Sequence, residues 1–123
     1  MPRPYSILVV DDDPQLLDVY CSALFEAGHA VLPASDGYEA IRILVERYTD
    51  LLIADINMPG LNGLELGAQA KLMRPCINII YITGYHRLVD RAPKPLSSLV
   101  MRKPVRPADL LTAIEKTMSA ARP

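Results

Sequence analysis

Short apolar runs alternate with amphipathic stretches along this chain. Ile7-Leu8-Val9-Val10 is apolar at successive positions, the pattern of a parallel strand buried on both faces. Asp13-Pro14 then opens a helix, with Asp13 as N-cap and Pro14 at the first helical position, where its missing N–H costs nothing. Leu17, Tyr20, Cys21 and Leu24 recur at helical spacing, and Gly28 is placed to end that helix. Ala30-Val31-Leu32 reads as a short strand. Ser35 or Asp36 caps a second helix with an inward stripe of Ala40, Ile43, Leu44 and Tyr48. Leu51-Leu52-Ile53-Ala54 is a third strand ending at Asp55, and residues 57–63 are dense in turn formers. A third helix is expected from about Leu64 to Arg74, a fourth strand over Ile77–Ile82, and a fifth over Leu99–Met101. Between these two strands, Pro93 and Pro95 leave room for one or two helical turns at best. A closing helix runs from Pro107 to about Ala120, with Leu110, Ile114 and Thr117/Met118 inward.

Five strand–helix pairs in series imply parallel strands joined by right-handed crossovers, with helices on both faces of one sheet. The length of 123 residues supports one hydrophobic core, so residues 1–123 are expected to form a single domain. An apolar fraction of 50% excludes a disordered chain, and the apolar runs are too short to cross a bilayer. No signal peptide is read at the N-terminus, and Cys21 and Cys76 form neither a disulfide framework nor a zinc pattern. These features are those of a cytoplasmic protein with reduced thiols. The net charge of −1 argues against nucleic acid as a partner, but it is unevenly spread: residues 1–62 carry −7 and residues 63–123 carry +6.

Ligands of such sheets bind beyond the carboxyl ends of the strands. Asp11, Asp12 and Asp13 follow the first strand, Asp55 the third, Thr83 the fourth and Lys103 the fifth. Crowded carboxylates cannot all stay ionised unaided. A divalent cation resolves the repulsion, and all-oxygen ligation selects Mg²⁺. Asp11, Asp12 and Asp55 with Mg²⁺ and Lys103 sum to zero, whereas Asp13 is accounted for as a helix cap. Taken singly, Asp55 and Thr83-Gly84 are ordinary turn formers; the argument lies in their joint placement. Lys94-Pro95 follows no apolar strand, so Lys103-Pro104 is preferred. His29 and His86 lack metal-like spacing and are expected at the surface, and the Tyr and Met residues are assigned to core packing. Neither phosphate-binding glycine motif is present.

The segments ILVVDDDP at 7–14, LLIADINMPGLNG at 51–63, IIYITG at 79–84 and RKP at 102–104, in this order, resemble the receiver domains of two-component response regulators. The resemblance covers essentially the whole chain. It implies a flavodoxin-like (βα)5 fold with sheet order 2-1-3-4-5; from the prolines, the helix between the fourth and fifth strands would be short or irregular. It further implies Asp55 as phosphoryl acceptor and Mg²⁺ held by Asp11, Asp12, Asp55 and the backbone carbonyl of Asn57. Thr83 and Lys103 would contact the phosphoryl group, and Lys103-Pro104 would be a cis peptide. The implied function is phosphorelay signalling, with a sensor histidine kinase or phosphotransfer protein as donor and a downstream protein as target. Such a domain catalyses only its own phosphorylation and dephosphorylation and is not an enzyme acting on other substrates. Asn57 and Tyr85 occupy positions that tune the aspartyl-phosphate lifetime.

Two departures from the family pattern stand out. Val100 replaces the aromatic residue whose rotation usually reports phosphorylation, leaving Tyr81 or Tyr85 as alternative couplers. The proline-broken segment 85–98 belongs to the usual dimer and output face, so homodimer formation is left open. Arg87, Arg91, Lys94, Arg102 and Arg106 could form a basic docking patch there. Two rival functions follow. A phosphohydrolase of the haloacid dehalogenase type would need an acid–base Asp where Asn57 stands. A degenerate receiver would act as a phosphorylation-independent scaffold, which Val100 favours and the intact acids oppose.

Overall fold

The computed structural model describes residues 4–84 and 98–120. Five parallel strands, β1 (Ser6–Val10), β2 (Ala30–Ala34), β3 (Leu51–Asp55), β4 (Asn78–Thr83) and β5 (Ser98–Arg102), form one sheet in the order β2-β1-β3-β4-β5. Four helices are present among the described residues: α1 (Pro14–Glu26), α2 (Gly37–Glu46), α3 (Gly63–Met73) and α4 (Pro107–Ala120). The segment expected to hold a short helix between β4 and β5, with Tyr85, His86, Lys94 and most of the basic patch, lies outside the described residues.

Strand side chains alternate between two cores. Leu8, Val10, Leu52, Ala54, Ile79 and Tyr81 pack with Ala40, Leu44, Leu66 and Ala70 of α2 and α3. Ile7, Val9, Leu51, Ile53, Ile80 and Ile82 pack with Tyr20, Leu24, Leu110 and Ile114 of α1 and α4. The apolar runs are continuous because both strand faces are covered. Each fully buried Leu or Ile contributes roughly 1.5–3 kcal/mol relative to exposure.

Local chemistry sets the helix starts. The Asp13 side chain accepts from the Gln15 and Leu16 amides, with Pro14 at the first helical position. Of the two candidate caps for α2, Asp36 caps, accepting from Glu39 N at 2.8 Å. Asn62 and Glu65 form a reciprocal capping box at α3. Gly28 follows α1 with φ 99°, as its place in the sequence implies.

Three sequence expectations need correction. His29 is buried, because its Nδ1 accepts from the Tyr5 backbone N–H at 3.1 Å and its ring stacks on Tyr5. Tyr48 is 69% exposed: α2 ends at Glu46, so the helical stripe stops before it reaches Tyr48. Tyr38 is exposed as well, so not every tyrosine serves the core. β2 extends through Pro33 to Ala34. The proline is tolerated because β2 is an edge strand. Ala30 N bonds to Tyr5 O and Asp11 N to Ala34 O, so residues 30 and 34 face β1 and Pro33 faces outward, where no ladder bond is lost. An edge without that N–H is also a poor template for further strands.

Candidate functional site

The carboxyl ends of β1, β3, β4 and β5 converge on one cleft. β3 delivers Asp55 and β1 delivers Asp11 and Asp12, since Val10 pairs with Ala54 in register. Carboxylate oxygens of Asp11, Asp12 and Asp55 lie within 4.8 Å of one another. Asp11 and Asp55 are buried, and Asp12 is exposed. Lys103, just past β5, reaches in so that its Nζ is 3.1 Å from Asp55 Oδ2 and 3.7 Å from Asp11 Oδ2. Its backbone N–H donates to Thr83 O at 2.9 Å, which ties the ends of β4 and β5 together. The Lys103-Pro104 peptide is cis.

The hydrogen bonds around the acids are asymmetric. Asp55 Oδ1 accepts from Asn57 N at 3.1 Å, and Asp55 Oδ2 accepts from Lys103. Asp11 Oδ1 accepts from Asp13 N at 2.8 Å. Among the described residues Asp11 Oδ2 is buried with no hydrogen-bond partner, its contact with Lys103 being too long to count as one. Burial pushes the Asp11 carboxyl up from its ordinary value, against the opposing pull of the Asp13 amide and the Lys103 charge. For Lys103, burial works to lower the ammonium, but the hydrogen bond to Asp55 and the charges of Asp11 and Asp55 prevail and raise it. The orphaned oxygen of Asp11, beside two further carboxylates, is the arrangement that a hard cation satisfies. The residues present therefore fit Mg²⁺.

The loop after β3 is drawn tightly over the strand end. Gly63 N donates to Ile56 O at 3.0 Å, and a Cβ at Gly63 would sit 2.3 Å from Asp55 O. Only glycine permits this approach, which starts α3 immediately beneath the acid. The structure thus gathers Asp11, Asp12, Asp55, Asn57, Thr83 and Lys103. The contacts of Asn57 are its amide to Asp55 and its side-chain Nδ2 to Thr83 Oγ1 at 3.1 Å.

Two contributions escape the sequence. The Asn57–Thr83 bond joins residues 26 apart, and only the shared topology could have signalled it. Tyr20, a core residue on α1, lies close enough for Asp11 to act on it, so burial and then that charge raise its hydroxyl.

The family model described as "Response regulator receiver domain" matches residues 7–115. The chain belongs to this family. It is 33% identical over 117 residues to the response regulator receiver protein CpdR of Brucella abortus, spanning 94% of this chain and 98% of that one. It is 29% identical to the transcriptional regulatory protein GlrR of Escherichia coli over 98% of this chain but only 28% of GlrR. The chain thus spans about a quarter of the length of some of its curated relatives. Among solved structures, the receiver domain protein from Methanospirillum hungatei superposes with TM-score 0.87 at 30% identity, over 97% of both chains. That from Clostridium thermocellum gives TM-score 0.84 at 30% identity, covering 94% of this chain and 95% of the other.

Within this receiver, Val100 is partly buried against the α2/α3 core, in register with Tyr81 of β4. Tyr81 itself is fully buried. No helix among the described residues is long and apolar enough to cross a membrane.

Proposed function

We propose that residues 1–123 form a single receiver domain that accepts a phosphoryl group on Asp55 and passes the signal to a downstream protein. The reading rests on one observation: the buried Asp55 carboxylate ends β3 within 3.1 Å of Lys103 and inside the cluster made with Asp11 and Asp12. The donor is a sensor histidine kinase, a phosphotransfer protein or a small acyl phosphate, and the site of action is the cytoplasm. The domain modifies only itself and turns over no other substrate, and it touches neither nucleic acid nor membrane.

Asp55 is held ready on both oxygens. A carboxylate oxygen forms the new bond to phosphorus as the P–N bond of phosphohistidine breaks and its electron pair returns to the imidazole. The Asn57 amide fixes the carboxylate plane through Oδ1. Lys103, already paired with Asp55 Oδ2, supplies the positive charge that the phosphoryl oxygens take over. Thr83 presents its hydroxyl to the same oxygens, steadied by Asn57 Nδ2. Asp11, Asp12, Asp55 and the carbonyl of Asn57 would hold Mg²⁺, whose chemistry is to neutralise charge on the transferring group.

Incubation with acetyl phosphate and Mg²⁺, followed by intact mass, tests the proposal. Wild type should gain one phosphoryl group, removable by hydroxylamine, and Asp55→Asn should gain none. An unchanged mass with acetyl phosphate and with a histidine kinase donor would instead support a phosphorylation-independent scaffold.

A further inference from the structure

The loop that leaves Asp55 ends against α2, a helix that packs on β1 and β2, far across the sheet from β5. Asn57 stands at the start of this loop. Its N–H donates to Asp55 Oδ1 at 3.1 Å, and its Nδ2 donates to Thr83 Oγ1 at 3.1 Å. Met58 is buried, and its N–H turns back to Ile56 O at 3.2 Å, so the chain beyond Asn57 is folded tightly on itself. The loop then meets the first turn of α2. A Cβ on Gly37 would lie 2.9 Å from Leu61 Cβ, Cδ2 and O, so Leu61 occupies the place of a side chain on that turn. A Cβ on Gly60 would lie 3.3 Å from Tyr38 Cε2. The Tyr38 residue is 65% exposed. Contacts therefore run without a gap from a buried carboxylate to an aromatic ring at the surface.

A change of charge at Asp55 acts on the first of these contacts. The Asn57 N–H donates to a carboxylate, and such charge-assisted bonds are roughly twice as strong as neutral ones. Esterification of Asp55 would move the negative charge out to the phosphoryl oxygens and release Asn57 from its strong acceptor. At the far end, the close fit of Leu61 on Gly37 leaves no free space to absorb a displacement of the loop. The route through β5 is stiffer. Val100 is β-branched, carries no ring and packs against the α2/α3 core. Tyr81 is fully buried and pressed against α3 at Gly67, so its ring has no path to the surface. We propose that phosphorylation of Asp55 is relayed through Asn57 and Leu61 to the first turn of α2, where Tyr38 reports it at the surface. The inference rests on the phosphoacceptor reading of Asp55 and adds to it the direction in which the signal leaves the site.

The chain has no tryptophan, so Tyr38→Trp places a single fluorophore at the end of the relay. With Mg²⁺ present throughout, acetyl phosphate should change the emission of the Tyr38→Trp protein, and the signal should return as the aspartyl phosphate hydrolyses. Val45→Trp, at an exposed position two turns further along α2, should give no change. Leu61→Ala in the Tyr38→Trp background should still gain one phosphoryl group by intact mass but lose the emission response. The ¹⁵N-labelled wild type needs no substitution: on phosphorylation, the amides of Gly37, Tyr38 and Glu39 should shift more than those of Leu99 and Val100. A protein that gains the phosphoryl mass with no change at Tyr38→Trp overturns the relay and leaves the phosphoacceptor reading standing. So does an equal change at Val45→Trp, a response that survives Leu61→Ala, or larger amide shifts at Leu99 and Val100. A protein that gains no phosphoryl group from acetyl phosphate or a histidine kinase removes both readings.

Discussion

The contact between Gly67 and Tyr81 gives the sharpest quantitative expectation for the fold. Tyr81 is fully buried on β4, and its hydroxyl has no hydrogen-bond partner among the described residues. It presses against α3 where Gly67 has no side chain: a Cβ there would lie 1.9 Å from Tyr81 Oη, 2.8 Å from Cζ and 3.0 Å from Cε1. In an open helix, Gly→Ala gains about 1 kcal/mol of propensity. Here the methyl would overlap a buried hydroxyl, and overpacking of this kind costs roughly 1–3 kcal/mol or more. Because the ring has a sheet behind it, the clash wins, and Gly67→Ala should lose about 2 kcal/mol. Tyr81→Phe removes a buried, unpartnered polar atom and should be neutral to stabilising by about 1 kcal/mol. In the double variant the worst overlap is gone while the ring-carbon contacts stay tight, so rescue should be partial, with a coupling energy of about 1 kcal/mol. Urea denaturation of the four proteins measures the cycle, and thermal midpoints should differ by roughly 4 °C per kcal/mol. Gly67→Ala at wild-type stability, or strict additivity with Tyr81→Phe, would refute the reasoning.

Other expectations are simpler. In metal-free protein, Asp11 has a folded pKa above its unfolded 3.8, so its contribution to stability is present below that value and is lost as pH rises through the folded pKa. Asp11→Asn should therefore raise the melting temperature at pH 7 in EDTA, and the advantage should shrink toward pH 3.8. Added Mg²⁺ should reverse this ranking: at tenfold excess over its dissociation constant it stabilises wild type by about 1.4 kcal/mol. The Asp11→Asn protein should gain much less by calorimetry. His29→Leu removes the acceptor of the Tyr5 N–H in a buried setting and should cost about 2 kcal/mol by denaturant titration.

What was legible in the sequence was what local rules or strand ends specify. Asp13, Pro14 and Gly28 write the limits of α1 directly, and Asp11, Asp55, Thr83 and Lys103 follow apolar strands whose order brings them together. What stayed hidden depended on partners distant in sequence. His29 reads as a surface polar residue until the Tyr5 backbone, 24 positions away, is seen to need an acceptor. Pro33 reads as the end of a strand unless β2 is known to lie at an edge with that residue facing out. Tyr48 fits the helical period of α2, but nothing in the period announces that the helix stops two residues earlier. The hole that Gly67 leaves for Tyr81 is a contact between helix and strand that no one-dimensional pattern encodes.

In the proposed phosphoacceptor site, the Asn57–Thr83 bond should separate metal binding from phosphoryl transfer. A hydroxyl has one hydrogen to donate and two lone pairs to accept with. Asn57 Nδ2 donates to Thr83 Oγ1, so it engages a lone pair and leaves the use of the hydrogen to other acceptors, including an incoming phosphoryl oxygen. A carboxylate at residue 57 can only accept. Asn57→Asp would turn the bond around and compete with the phosphoryl group for the one hydrogen of Thr83. The same change adds a negative charge next to Asp55, which should tighten Mg²⁺ binding while slowing phosphorylation. Loss of one neutral hydrogen bond to the transferring group corresponds to about a fivefold slower reaction at saturating Mg²⁺. Rates of phosphorylation by acetyl phosphate, followed by intact mass alongside a Mg²⁺ titration, separate the two effects. If Asn57→Asp binds Mg²⁺ more tightly and is phosphorylated as fast as wild type, the side-chain bond to Thr83 has no part in transfer, and Asn57 serves through its backbone alone.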